Sequence, residues 1–204
     1  MEIKTLPLGM IGANCYMIKT EKSAVVIDIG KYSKEVVDFL KENEDKERLI
    51  LLTHCHFDHI GGAEAVSLET GVKIAIGENE ADFLLDGKVN LSDTFHAKIN
   101  PFCANIKLKD NEEFSVGDIT FKVIETKGHT SGGVCYLAEN SLFSGDTLFF
   151  ESIGRTDFIT GNYKEIIDSI KKLTLLPEDT VVYPGHGEPT TIGHEKNFNP
   201  YLRG

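Results

Sequence analysis

The sequence predicts a layered α/β domain, and three observations support this prediction. Apolar segments of strand length alternate with segments whose apolar residues recur every three to four positions, as they do in helices. Polar clusters containing histidine or aspartate follow several apolar segments directly. The length of 204 residues suits one domain. We therefore expect a single domain over residues 1–204, with its site along one edge of a sheet.

The first half of the chain begins with short β-rich segments. The strand patterns cover residues 15–19 and 24–29, and a helical pattern with Ser33 as its cap follows over residues 33–42. A continuous apolar run at residues 49–52 is typical of a strand that is buried on both faces. This run leads into a polar loop and then into a predicted helix through residue 69.

The second half repeats the alternation without any repeat of sequence. Residues 78–111 contain several Gly, Asn and Pro residues, which favours a loop or lid beside the site. A helix is predicted over residues 163–173, where Ile166, Ile167 and Ile170 share one side. Strands are predicted at residues 72–76, 105–108, 119–124, 133–137, 141–143 and 180–183.

Charge and composition restrict the partners and the location. The chain has 21 Lys plus Arg against 32 Asp plus Glu, and the resulting net charge of −11 repels nucleic acid and anionic lipid. No apolar run approaches the roughly 18 residues of a membrane span, and residues 1–5 do not resemble a signal peptide. The four cysteines form no Cys-x-x-Cys pair, which favours free thiols. We expect a cytoplasmic protein without nucleic-acid or membrane partners.

The segment His54-x-His56-x-Asp58-His59 is the strongest chemical signal in the chain. Imidazole nitrogens and carboxylate oxygens are donors that zinc or iron accepts. Seven histidines spread at random over the chain would rarely place three within six residues. Because one ion can hardly take all four side chains, we expect two adjacent ions.

Three later turns each offer one further donor after an apolar strand. They are Gly128-His129-Thr130, Ser144-Gly145-Asp146-Thr147 and Pro184-Gly185-His186-Gly187. Glycine in such turns lets the backbone pass close to an ion. Together with the first cluster, His129, Asp146 and His186 complete a candidate site of five histidines and two aspartates.

This ordered set resembles the metallo-β-lactamase superfamily, in which an early aspartate, here Asp28, also precedes the cluster. The resemblance implies a four-layer αββα sandwich. It also implies a first metal bound by His54, His56 and His129, a second bound by Asp58, His59 and His186, and Asp146 bridging the two. By the same resemblance Asp28 orients a ligand histidine.

Within the superfamily, the chain is most similar to short bacterial glyoxalase II-like proteins, also called hydroxyacylglutathione hydrolase-like. The shared segments include residues 14–16, 128–133, 143–149, 152–157 and 184–187. The resemblance implies hydrolysis of thioesters such as S-lactoylglutathione by attack of a metal-bridging hydroxide, which Asp58 would help to orient. Zinc is the default metal, and iron and manganese are alternatives. The C-terminal helical region by which full-length glyoxalase II holds glutathione does not follow in these residues, so related esters are also expected substrates.

Four further residues, which are not predicted ligands, are interpreted separately. Arg155 could receive a substrate carboxylate, or it could pair with Asp157 as a structural contact. Cys55 alternates with two ligand positions, so we expect a buried thiol that points away from the metals. We expect surface or local hydrogen-bonding roles for His96 and His194.

Two other functions compete with hydrolysis. Persulfide dioxygenases, which use one iron and O₂, share the segment at residues 154–158, although Ile153 stands where they usually have cysteine. A non-catalytic module that keeps metals for structure is disfavoured, because structural zinc sites are usually closed and rich in cysteine.

Overall fold

Two six-stranded sheets pack face to face in the computed structural model, which describes residues 1–203. In the first sheet the strands run in chain order, antiparallel from β1 to β3 and parallel from β3 to β6. This sheet consists of β1 (Glu2–Leu8), β2 (Ala13–Lys19), β3 (Ser23–Ile27), β4 (Glu47–Leu52), β5 (Ile74–Gly77) and β6 (Ile106–Leu108).

The second sheet has the strand order β14-β13-β10-β9-β8-β7 and contains one parallel pair, β10 with β13. Its strands are β7 (Glu113–Val116), β8 (Ile119–Glu125), β9 (Val134–Ala138), β10 (Ser141–Gly145), β13 (Val181–Pro184) and β14 (Thr190–Thr191). A separate hairpin of β11 (Leu148–Phe149) and β12 (Ser152–Ile153) follows β10.

Helices cover the outer faces of both sheets. The first sheet is covered by α1 (Lys34–Lys41) and α3 (Ala63–Thr70), and the second by α4 (Tyr163–Leu173) and α5 (Ile192–Phe198). A single turn, α2 (Phe57–Ile60), lies at the end of β4. Two 3₁₀ helices span Ala81–Leu85 and Pro200–Leu202. The four layers αββα match the architecture implied by the resemblance.

The alternation along β4 shows why its apolar run is continuous. Leu49 and Leu51 point into the core between the sheets, whereas Ile50 and Leu52 point into the core beneath α1 and α3. The inner core also contains Phe121, whereas Leu142 of β10 packs outward under α4. Both faces of β4 are therefore buried, as the sequence predicted.

Several boundaries differ from the predictions. The helix expected through residue 69 is interrupted at Gly61 and Gly62, where the Gly62 N–H donates to the Ile29 carbonyl oxygen at 2.7 Å instead of continuing the helical pattern. Ser33 occupies the N-cap of α1, but within residues 1–203 its hydroxyl receives no capping hydrogen bond. The helix over residues 163–173 has the predicted bounds. Strands β1, β7, β11, β12 and β14 and helix α5 were not predicted.

Residues 78–111 hold the first 3₁₀ helix and then an irregular segment that contributes Leu91 and Phe95 to the wall of a cavity beside α2. The prediction that this region lies beside the site agrees with this position.

In residues 1–203, no helix has both the length and the apolar character needed to cross a membrane.

A hydrogen bond joins the two sheets: the Tyr136 hydroxyl donates to the Leu52 carbonyl oxygen at 2.7 Å. Replacing Tyr136 by Phe keeps the buried ring but removes this bond, so we expect a loss of about 1 kcal/mol in the free energy of unfolding. Chemical denaturation measures this free energy of unfolding. Tyr163→Phe, at an exposed tyrosine, is the control. An unchanged free energy of unfolding in Tyr136→Phe would show that the bond contributes nothing.

Candidate metal centre

The first polar cluster follows β4 at the edge of the first sheet. His54, His56 and His59 are almost completely buried, with exposed fractions of 2%, 2% and 0%. Asp58 lies beside His59 in α2 and is also buried. The sequence Thr53 to His56 leaves the strand as a loop, and the single turn of α2 directs Asp58 and His59 toward the same edge.

The remaining candidates come from the second sheet. His129 follows β8, Asp146 follows β10 and His186 follows β13. The turn at Gly185 has no room for a side chain, since a Cβ there would lie 2.1 Å from Asp146 Oδ1. Glycine at this position therefore allows the His186 loop to approach the Asp146 carboxylate.

The seven side chains predicted as ligands converge into three overlapping sets of donors. Within each set the donor atoms all lie within 4.8 Å of one another. The sets are His54, His56 and His129; His54, His59 and Asp146; and Asp58, His59 and His186. The first and third sets correspond to the two triads implied by the resemblance, and Asp146 stands between them.

The hydrogen-bonding state of these donors fits a divalent metal. Within the described residues, the Nε2 atoms of His54, His56 and His59 and the Oδ1 atom of Asp146 are buried without a hydrogen-bond partner. Buried polar atoms normally have such a partner, and leaving one without it costs free energy. Histidine nitrogen atoms and carboxylate oxygen atoms are the donors that zinc and iron accept. These atoms without a hydrogen-bond partner therefore fit such an ion.

Asp28 holds several of these groups in place. Its Oδ1 accepts from the Thr53 backbone N–H at 2.8 Å, and its Oδ2 accepts from the Thr53 hydroxyl at 2.7 Å. Asp28 Oδ2 also lies 2.8 Å from His59 Nδ1. A proton on Nδ1 directed at Asp28 leaves the Nε2 lone pair of His59 free for an ion.

His129 is oriented in the same way by a backbone carbonyl. Its Nδ1 lies 2.7 Å from the Arg155 carbonyl oxygen, and its Nε2 lies 2.8 Å from His56 Nδ1. The Arg155 side chain points elsewhere, because its guanidinium makes two bonds of 2.7 and 2.6 Å to Asp157. In this structure Arg155 therefore pairs with Asp157, as the structural one of its two interpretations expects.

Burial and neighbouring charges set the protonation of the cluster. Burial and the adjacent imidazoles lower the pKa of His54 well below its usual value and that of His56 to about 3. Burial also opposes a charge on His59, but the surrounding carboxylates outweigh it and raise the pKa of His59. Burial raises the pKa of Asp146, yet the nearby His59 outweighs this effect and holds the pKa at about 2. At neutral pH His54 and His56 are therefore neutral, His59 favours its protonated form and Asp146 is ionised, so a cation that binds His59 Nε2 displaces a proton.

Glu80 is a contributor that the sequence analysis missed. Its carboxylate is buried, and it accepts from the backbone N–H groups of Cys55 at 2.8 Å and Gly132 at 3.0 Å. Cys55 lies between His54 and His56, and Gly132 lies three residues after His129. Glu80 thus joins the two loops that carry the first set of donors.

The loop that carries His186 is fastened to β2. The Asn14 side chain donates to the carbonyl oxygens of Pro184 at 3.0 Å and Gly187 at 2.9 Å. The Tyr16 hydroxyl donates to the same Pro184 oxygen at 2.5 Å. These contacts give a physical role to residues 14–16, which the sequence analysis noted only as a shared segment.

The other noted residues lie outside the cluster. Cys55 is fully buried in the outer core under α1 and α3, so its thiol points away from the donors as expected. His194 Nε2 lies 3.0 Å from Glu151 Oε1, and its ring stacks on Phe150. His96 is exposed.

The donor cluster forms the floor of an open cavity of about 460 Å³. His56, Asp58, His129, Asp146 and His186 all reach its surface. A small molecule can therefore contact the donor groups directly, as a substrate of a metal centre must.

Comparison with known proteins is consistent with this geometry. The family model described as the metallo-beta-lactamase superfamily matches residues 8–186. The probable metallo-hydrolase YqgX of Bacillus subtilis is 33% identical over 208 residues, which cover 100% of this chain and 99% of that protein. The hydroxyacylglutathione hydrolase GloC of Haemophilus influenzae is 34% identical over 209 residues, which cover 99% of this chain and 98% of that protein.

Solved structures give the same fold. The B3 metallo-beta-lactamase BLEG-1 has a TM-score of 0.91 and 38% identity, with 100% of both chains covered. TTHA1623, solved in a di-iron-bound form, has a TM-score of 0.85 and 28% identity, with 98% of this chain and 100% of that chain covered. ETHE1 from Myxococcus xanthus has a TM-score of 0.78 and 30% identity, with 98% of this chain and 84% of that chain covered.

Removing the Glu80 carboxylate should weaken metal binding at the first donor set. Glu80→Ala leaves two buried N–H groups without their acceptor and frees both loops, so we expect a loss of about 10- to 100-fold in affinity for one zinc ion. Glu80→Gln keeps one acceptor oxygen and should fall between Glu80→Ala and wild type. Competition with a chromophoric chelator measures the affinity of each ion.

Glu78→Ala, at an exposed glutamate two residues away, is the matched control and should bind zinc as wild type does. Far-ultraviolet circular dichroism establishes that each variant is folded. Wild-type affinity for both ions in folded Glu80→Ala would contradict the positioning role of Glu80.

Proposed function

The chain belongs to the metallo-β-lactamase superfamily, and from this premise we propose that it is a dinuclear metal-dependent hydrolase of thioesters such as S-lactoylglutathione. The observation that carries the proposal is the convergence of unpartnered histidine and aspartate donors on the floor of an open cavity. The similarity to a hydroxyacylglutathione hydrolase over nearly the whole chain supports the choice of thioesters.

We assign one ion to His54, His56 and His129 and the other to Asp58, His59 and His186, with Asp146 shared between them. Two divalent cations bound there supply hydroxide near neutral pH and polarise a carbonyl oxygen. Zinc is the first choice, while the similarity to a di-iron-bound structure keeps iron as the alternative and manganese also suits the oxygen donors.

The residues of the chain hold the reacting groups in place. Asp28 keeps His59 in one tautomer, and the Arg155 carbonyl does the same for His129. Asp58 Oδ2 faces His186 Nε2 at 3.1 Å, next to the cavity, and from there we assign it the orientation of the attacking water. Hydrolysis consumes one water, forms a C–O bond and breaks the C–S bond, and the thiolate takes up a proton as it leaves.

The proposed partner is a small-molecule thioester or ester rather than nucleic acid, in keeping with the net charge of −11. We propose a cytoplasmic location, where the free thiols of all four cysteines remain reduced.

A second candidate function is that of an iron-dependent persulfide dioxygenase, which the similarity to ETHE1 favours. Such an enzyme would need iron and would consume O₂ with a persulfide substrate. A module that binds metal without catalysis would instead be inert with both kinds of substrate.

Hydrolysis of S-lactoylglutathione by zinc-loaded protein tests the proposal. We expect turnover in the wild type and a loss of at least about 100-fold in His54→Ala and in Asp146→Ala, together with lower metal content, because each variant removes a donor. His194→Ala removes a histidine remote from the cavity and is the matched control. Thiol release and elemental analysis provide the two measurements.

The same preparations loaded with iron and supplied with glutathione persulfide test the alternative by oxygen uptake. Oxygen uptake without thioester hydrolysis would replace the proposal with the dioxygenase. Wild-type turnover in His54→Ala would refute the assignment of the site.

A further inference from the structure

The cavity above the donor cluster has an apolar wall made largely of aromatic rings. Phe57 and Phe95 stack with centroids 4.8 Å apart and an interplanar angle of 20°. Phe95 meets Phe158 edge to face at 6.5 Å, and Phe158 meets the ring of His56 at 5.5 Å. The wall therefore runs without a break from the mouth of the cavity to a candidate metal ligand.

Backbone strain keeps another apolar side chain in this wall. Leu91 has a φ of 66°, a conformation that residues with a β-carbon rarely adopt, and only 4% of it is exposed. The Asn90 carbonyl oxygen accepts from Phe57 N–H at 2.9 Å, and the Leu91 carbonyl oxygen accepts from Phe95 N–H at 3.0 Å. Strain of this kind is typical of binding sites, and here these two hydrogen bonds hold the strained segment so that Leu91 lines the cavity.

The mouth of the cavity is apolar as well. Ile11 lies in the turn between β1 and β2, lines the cavity and is 55% exposed. Phe149 also lines the cavity, next to His186, with ring centroids 6.2 Å apart. A ligand that enters past Ile11 removes exposed apolar surface from water.

Cationic side chains for an anionic ligand are scarce at the wall of this cavity. Among the described residues that line it, Arg155 is the one Lys or Arg side chain. Its guanidinium already makes two bonds to Asp157 and lies 4.1 Å from the centroid of the Phe158 ring. A glutathione thioester carries two carboxylates and one ammonium group, and apart from the proposed metal ions this wall offers it a single guanidinium that is already paired.

We propose that the cavity binds an apolar acyl group the size of an aromatic ring, and that the preferred substrates are thioesters or esters of such acids with uncharged leaving groups. This inference rests on the proposed hydrolase function and narrows its substrate class. The acyl group packs against Phe57, Phe95 and Leu91, which places its carbonyl above the donor cluster. Hydrolysis then yields the apolar carboxylic acid and a neutral thiol or alcohol, with one water consumed.

Three synthetic thioesters test the inference with zinc-loaded protein. S-phenylacetyl-N-acetylcysteamine and S-acetyl-N-acetylcysteamine share a neutral thiol and differ in the acyl group, and S-lactoylglutathione is the anionic reference. We expect kcat/KM for the phenylacetyl substrate to exceed the values for both others by at least about tenfold, the range in which apolar pockets discriminate.

Variants locate the preference in the cavity. Phe95→Ala should lower the ratio of phenylacetyl to acetyl kcat/KM by about tenfold, mainly through KM, because it removes part of the wall. Ile11→Ser should lower the same ratio and serves as a second variant at an exposed position. Phe150→Ala is the matched control, since Phe150 has the same exposed fraction of 42% as Phe95 but stacks on His194 outside the cavity.

The possible failures are distinguishable. Hydrolysis of all three substrates with a phenylacetyl-to-acetyl ratio near one, or with S-lactoylglutathione preferred, overturns this inference and leaves the hydrolase function in place. A wild-type ratio in both Phe95→Ala and Ile11→Ser also overturns it. No hydrolysis of any of the three substrates overturns both the inference and the proposed function.

Discussion

The geometry of the donor cluster depends on the hydrogen bonds made by a single carboxylate, that of Asp28. This residue directly follows β3 and has a φ of 56°, in the left-handed region that costs an ordinary residue about 1–2 kcal/mol. In that conformation its two oxygens reach the Thr53 backbone, the Thr53 hydroxyl and His59. The Thr53 hydroxyl in turn lies 3.0 Å from His54 Nδ1. One strained position thus sets the orientation of rings that belong to both proposed metal ions.

Much of the fold could be predicted, because its central strands are buried on both faces and therefore produce continuous apolar runs, as at residues 49–52. The strands that escaped prediction lie at sheet edges or are very short. Strand β1 is an edge strand that is mostly exposed or half-buried, and β14 has two residues. The break between α2 and α3 was missed because the Gly62 N–H bonds to the Ile29 carbonyl oxygen, which no local pattern records.

The donor residues were predictable because their chemistry is concentrated in a short motif and three glycine-flanked turns. Their supports were not, because each acts on a backbone group far away in the sequence. Glu80 reaches Gly132, 52 positions along the chain, and Asn14 reaches Pro184, 170 positions along the chain. No local pattern marks Glu80, since Glu78 is nearer to the apolar strand β5 and is exposed. The apolar wall of the cavity was equally hidden, since Phe57 of α2 and Phe95 and Phe158 of two loops are far apart in the sequence.

Every donor set combines side chains from both halves of the sandwich: His129, Asp146 and His186 follow strands of the second sheet, and the others follow β4 of the first. An ion bound to such a set would link the two sheets in the folded protein. The unfolded chain has no such link. By mass action, the free energy of unfolding then rises with the concentration of free metal. With the proposed ions, the lifetime of this protein in a cell would be coupled to metal homeostasis: scarcity would leave the two halves held by packing and by hydrogen bonds such as that from Tyr136 to Leu52, and would expose the chain to proteolysis as catalysis is lost.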